Sequence, residues 1–143
     1  MYLCKECLKV FDQYDINPSY INSDDVEVIY EEADCSSISC TGRVVKVDEM
    51  ILPTIIELNK KGWITKFCCS GHLYNTYIDT YIYFKNTPPT IPDNFDFRDD
   101  AIYYKSKKFN SSSRPNNLKR LNQLFDINRE LYKWAIGLPI KEN

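Results

Sequence analysis

Two close cysteine pairs, Cys4-x2-Cys7 and Cys35-x4-Cys40, constrain the first third of this chain more than any other feature. A tetrahedral Zn²⁺ needs four thiolates at about 2.3 Å, and two tight turns that each carry a pair supply them. The spacing therefore predicts a zinc ribbon over residues 1–43, with Cys4, Cys7, Cys35 and Cys40 as ligands and Zn as the cofactor. A closed four-cysteine site leaves no open coordination position, so its expected role is to fold the N-terminus. The run "VEVIYEE", Val26 to Glu32, reads as a strand of the excursion that joins the knuckles.

Residues 44–143 read as a separate α+β domain. Ile51, Ile55 and Leu58 recur at helical spacing, with Asp48 as the expected N-cap and Gly62 at the C′ position. "WITKFCC" is expected as a strand ended by Ser70-Gly71, and "TYIDTYIYF" as a second strand that puts Tyr77, Asp79, Tyr81 and Tyr83 on one face. "NTPPTIPDNFD" reads as a proline-rich loop and "AIYYKSKKF" as a third strand. From Pro115 to Leu138 a long amphipathic helix is expected, its apolar stripe made of Leu118, Leu121, Leu124, Phe125, Leu131, Trp134 and Leu138. The predicted fold is thus a zinc ribbon followed by a small, mainly antiparallel sheet packed on two helices.

Charge is distributed unevenly. Residues 1–100 carry 9 basic against 17 acidic side chains, and residues 101–143 carry 9 against 3. A basic C-terminal third points to an anionic partner or to a segment folded back on the acidic part. The N-terminus lacks a continuous apolar segment, and no window reaches the roughly 18 apolar residues of a membrane helix, so a soluble, cytoplasmic protein is expected with no membrane partner.

"CCSGH", Cys68 to His72, gathers a thiol, a hydroxyl, a glycine turn and the sole histidine of the chain. Neighbouring strand residues point to opposite faces, which argues against Cys68 and Cys69 sharing an ion with His72. Two functional readings compete with a plain turn. Ser70, Gly71 and His72 can form an anion nest, or Cys69 and His72 can form a thiolate–imidazolium pair. Tyr77 and Tyr81 are candidates for stacking on bases, with Tyr103 or Tyr104 beside them, and Lys119 and Arg120, with Arg129 and Lys133, for phosphate contacts.

The stretch from "CKEC" through "CSSISC" to "VDEMILPTIIELNKKGWITKFCCSGH" and "YIYF" resembles a set of uncharacterised small proteins of low-GC Gram-positive bacteria and their phages. They share a zinc ribbon, a helix and a T-x-F-C-C-S-G-H strand end. The resemblance covers about residues 1–84 and implies a phage or mobile-element context. Cys69-Ser70-Gly71 is also similar to the Cys-Ser-Gly motif of wybutosine-type tRNA methyltransferases, with His72 where those carry arginine. The function expected is a non-enzymatic modulator, such as an inhibitor of a bacterial defence system, that binds nucleic acid, a nucleotide or a host protein. The alternative is an enzyme acting on a nucleotide or RNA through Cys69 and His72. Oligomeric state is not legible in these residues.

Overall fold

A computed structural model describes residues 2–4, 6–11, 19–20, 31–35, 37–72, 78–105 and 114–142. The protein is α+β and divides into two compact units, Met1–Val47 and Asp48–Asn143. No helix among the described residues is long and apolar enough to cross a membrane.

The N-terminal unit is an antiparallel sheet in the order β2-β1-β5-β4-β3, built from β1 (Tyr2–Cys4), β2 (Val10–Phe11), β3 (Ser19–Tyr20), β4 (Glu31–Asp34) and β5 (Arg43–Lys46). β5 lies between β1 and β4, pairing Leu3 with Val45 and Ala33 with Val44. Of the predicted strand at Val26 to Glu32, residues 26–30 lie outside the described residues, and the observed strand is β4. Among the described residues of this unit, Leu8 (φ 58°), directly after Cys7, and Ser39 (φ 69°), directly before Cys40, take left-handed backbone. Such backbone costs of order 1 kcal/mol and is kept where the surroundings dictate it, in this case at the two cysteine turns.

The C-terminal unit opens with α1 (Leu52–Lys60). Its N-cap is Ile51, without a side-chain cap bond, and Pro53 falls in the first turn, where its missing N–H costs least. Asp48 is therefore not the cap, and its carboxylate serves Ser70 instead. The helix ends as Gly62 predicts. Gly62 is left-handed (φ 85°), its N–H donates to the Asn59 carbonyl and that of Trp63 to the Leu58 carbonyl, the paired bonds of a Schellman stop.

Four strands follow, β6 (Thr65–Cys69), β7 (Tyr81–Phe84), β8 (Phe95–Arg98) and β9 (Ala101–Tyr104), forming an antiparallel sheet in the order β6-β7-β9-β8. The predicted second strand is shorter than its alternation suggests, because residues 78–80 lie outside β7. The predicted proline-rich loop ends in a strand: Phe95 to Arg98 pair with Tyr104 to Ala101 through a two-residue turn at Asp99 and Asp100. Both turn residues are left-handed, at 52° and 61°, the twist that tight hairpins require.

β7 alternates cleanly. Ile82 and Phe84 are fully buried, whereas Tyr81 and Tyr83 are half-buried on the other side. The core of this unit joins Ile82, Phe84 and Ile102 of the sheet with Ile55 and Leu58 of α1 and with Leu124, Leu131 and Ala135 of α2 (Arg114–Gly137). The buried stripe of α2 differs from the expected one. It runs through Arg120, Leu124, Ile127, Asn128, Leu131, Ala135 and Leu138, while Leu118 and Phe125 are exposed. Two polar contacts help set this rotation: Asn128 Nδ2 donates to the Ser70 carbonyl at 3.0 Å and to the Leu124 carbonyl at 2.8 Å. Lys61 closes the far end of α2. Its Nζ donates to the carbonyls of Ala135 (2.9 Å), Ile136 and Leu138 (2.7 Å), satisfying acceptors that the end of a helix leaves open.

Candidate metal centre, turn and aromatic face

In the N-terminal unit Cys4, Cys7, Cys35 and Cys40 converge, their sulfurs all within 4.8 Å of one another. The Cys4–Cys40 and Cys7–Cys35 sulfur pairs are each 3.7 Å apart. The edge of a sulfur tetrahedron around an ion at about 2.3 Å is about 3.8 Å, so the residues present fit a metal ion. A second observation agrees: a Cβ on Gly42 would come within 2.8 Å of Cys4 Sγ, so the bare backbone makes room for the cluster. Amides of the cysteine turns point at the sulfurs, those of Glu6 and Cys7 at Cys4, Ser37 at Cys35 and Gly42 at Cys40. The Ser37 hydroxyl and amide lower the Cys35 thiol to about 6, whereas burial pushes Cys4 up to about 12. The cysteines also serve as core, since Tyr2, Cys4 and Cys35 form one buried cluster with Phe11 and Cys40 against it.

In the C-terminal unit the turn after β6 is held from every side. Gly71 is left-handed (φ 97°), and a Cβ there would stand 2.5 Å from Leu124 Cδ2 and 2.9 Å from Thr80 Oγ1. The Ser70 carbonyl accepts from Thr80 Oγ1 at 2.9 Å as well as from Asn128. The turn amides are not available to an anion. The N–H of Ser70 donates to Asp48 Oδ2 (3.0 Å), that of Gly71 to Cys69 Sγ (3.3 Å) and that of His72 to Asp79 Oδ1 (3.1 Å). The amides expected to form an anion nest at Ser70, Gly71 and His72 are thus turned to the protein's own side chains, and the Asp48 and Asp79 carboxylates among them repel a phosphate.

Cys69, His72 and Asp79 meet at this turn. His72 Nδ1 lies 3.5 Å from Cys69 Sγ and 3.0 and 3.2 Å from the two Asp79 oxygens. Cys69 is buried, while Cys68 is half-exposed. Burial raises the Cys69 thiol to about 12, with the Asp79 and Asp48 carboxylates adding to the shift. A thiolate–imidazolium pair at neutral pH needs the opposite environment, and the nitrogen facing the sulfur is shared with Asp79. This role of Asp79 is not legible in the sequence, where alternation places it on one strand face with Tyr81 and Tyr83. Its separation of seven residues from His72 is the only signal it gives.

The outer side of the sheet carries an aromatic cluster. Tyr81, Tyr83 and Tyr103 lie with ring centroids 5.7 to 5.9 Å apart, the Tyr83 and Tyr103 hydroxyls hydrogen-bond, and Phe67 stands edge-on to Tyr83 at 6.1 Å. The Arg98 guanidinium sits 4.8 Å over the Tyr103 ring. Neither Phe67 nor Arg98 is marked for this face by the sequence, the first because a bulge between Thr65 and Cys68 breaks the alternation of β6. Tyr104 is on the opposite side of β9, edge-on to the buried Phe95. Tyr77 lies outside the described residues. Lys119 is exposed, but Arg120 is 3% exposed and belongs to the interior, so the expected basic pair on α2 does not form one surface. Comparison with family models, curated proteins and solved structures returns no match.

Proposed function

We propose that this is a binding protein whose C-terminal unit takes single-stranded nucleic acid on the outer aromatic face of its sheet, and whose N-terminal unit is a zinc ribbon closed by Zn²⁺ on Cys4, Cys7, Cys35 and Cys40. The observation that carries the first part is the array of Phe67, Tyr81, Tyr83 and Tyr103 with Arg98 above Tyr103. Half-buried rings held by edge contacts offer flat π-faces already fixed in place, and a guanidinium beside them can meet a phosphate. Stacking of this kind tolerates any base, so weak sequence preference is expected. The zinc assignment draws on the all-thiolate donor set and on sulfur separations that suit a closed tetrahedral site.

Fluorescence anisotropy with a short labelled single-stranded oligonucleotide tests the nucleic-acid reading. Tyr81→Ala should weaken binding by about 5- to 150-fold, the range of one lost base stack, and Tyr103→Ala should weaken it by unseating the guanidinium that lies over its ring. Arg98→Gln should reduce the salt slope by about 0.7. Phe125→Ala, on the exposed side of α2, should leave affinity unchanged. Absence of binding at low salt, or binding indifferent to both tyrosine changes, sinks the reading.

A further inference from the structure

We infer that Cys69, His72 and Asp79 form a second metal site, a three-ligand centre for a zinc-class divalent ion with one coordination position left to solvent. Cys69 Sγ, His72 Nδ1 and one Asp79 oxygen are mutually within 4.8 Å. The measured separations, 3.5 Å from sulfur to nitrogen and 3.0 Å from nitrogen to the nearer oxygen, approach the edges of a tetrahedron around one ion, about 3.6 and about 3.3 Å.

A His–Asp hydrogen bond alone does not account for this arrangement. Nδ1 carries at most one proton, yet it faces both Asp79 oxygens and the Cys69 sulfur. An ion at the shared centre lets all three atoms act as donors at once. The surrounding hydrogen bonds point the same way. Two consecutive amides, those of Gly71 and His72, donate to the Cys69 sulfur and to Asp79, which orients two of the three ligands, while the Ser70 amide beside them is held by Asp48. The amide two residues after a cysteine addresses its sulfur in the four-cysteine cluster too, at Cys4, Cys35 and Cys40, and Gly71 does the same for Cys69.

Access differs sharply among the donors. Cys69 is 5% exposed, whereas the His72 and Asp79 side chains are 58% and 36% exposed. The sulfur thus forms the floor and the other two donors form a rim open to water, the pattern of three protein ligands with an exchangeable fourth. Cys68 is not among the converging donors, which resolves the geometric objection to two adjacent cysteines on one ion.

The experiment is metal counting on the full chain, loaded with excess Zn²⁺ and desalted, for wild type and for the His72→Ala/Asp79→Asn double variant. Both altered side chains are at the surface, and a circular dichroism melt checks that the variant is folded. Wild type should hold one more equivalent than the variant, whatever the content of the four-cysteine cluster, so this result stands or falls apart from the nucleic-acid reading. Titration with Co²⁺ supplies an independent readout. Wild type should show a thiolate-to-metal charge-transfer contribution that the double variant and Cys69→Ser both lack. Equal zinc content in wild type and variant, or identical Co²⁺ spectra, overturns the site.

Discussion

The main-chain N–H and the hydroxyl of Ser70 both donate to a single oxygen of Asp48, at 3.0 and 3.2 Å, joining the segment that leads into α1 to the turn after β6. Asp48→Ala removes a charged acceptor from two donors, and the C-terminal unit should lose about 1–2 kcal/mol of stability. Asp48→Asn, which keeps one acceptor oxygen, should recover part of it. Urea unfolding followed by tryptophan fluorescence reports this directly, because Trp63 and Trp134 both lie in that unit. An unchanged midpoint for Asp48→Ala would contradict the role.

Gly71→Ala should cost about 2–4 kcal/mol, from left-handed strain and from a methyl group forced against Leu124 and Thr80. Adding Leu124→Ala should relieve the collision but not the strain, so the two changes together should be less destabilising than their sum. Gly137→Ala is the control: nothing lies within 4 Å of its added carbon, and it should be neutral or slightly stabilising. Thermal melts of wild type, Gly71→Ala, Leu124→Ala, the double variant and the Gly137→Ala control decide the matter, and strict additivity would argue against the contact.

Lys61→Met keeps the aliphatic stem and removes three hydrogen bonds to the last carbonyls of α2. The expected loss is about 1–2 kcal/mol. Hydrogen exchange should accelerate first in the closing turn of α2 and leave its middle protected; uniform acceleration would mean that the whole helix depends on this contact.

Removing metal from the full chain should melt the N-terminal unit and spare the C-terminal one, because the buried cluster of the first includes cysteines. NMR amide dispersion in EDTA should collapse for residues 2–47 and persist for 48–142. Persistence of both sets would mean that the four thiols fold this unit without an ion.

In the metal-stripped protein Cys69 should alkylate slowly. Its thiol is raised to about 12 by burial and by two carboxylates, so at neutral pH the reactive thiolate is about three orders of magnitude scarcer than for an unshifted cysteine. Peptide mass mapping after iodoacetamide should show Cys68 modified well before Cys69, and labelling of Cys69 should rise as pH increases. Fast labelling at pH 7 would restore the nucleophile reading.

What the sequence disclosed follows from how local each signal is. The cysteine pairs and the glycine stop at Gly62 are decided within a few residues, and both are visible in the chain. β8 is decided by β9, and no pattern in "DNFDFRDD" outweighs the prolines before it. On α2 two apolar stripes interleave, Leu118, Phe125 and Ile136 outside against Leu124, Leu131 and Ala135 inside. The choice between them comes from packing and from Asn128, which reaches the Ser70 carbonyl from fifty-eight residues away. The Cys69, His72 and Asp79 cluster escaped for a similar reason, because Asp79 turns away from the strand that its alternation had assigned to it.

The clasp between Lys61 and the end of α2 has a consequence for how the chain is made. The partners are 74 to 77 residues apart, so they cannot meet until nearly all of the C-terminal unit has been synthesised. A nascent chain halted after β9 already holds Ile82, Phe84 and Ile102 in place to form a sheet but lacks Leu124, Leu131 and Ala135 to complete their core. On the ribosome, then, the core of this unit can close only after α2 has been made, and until that point the inner face of the sheet lacks its cover.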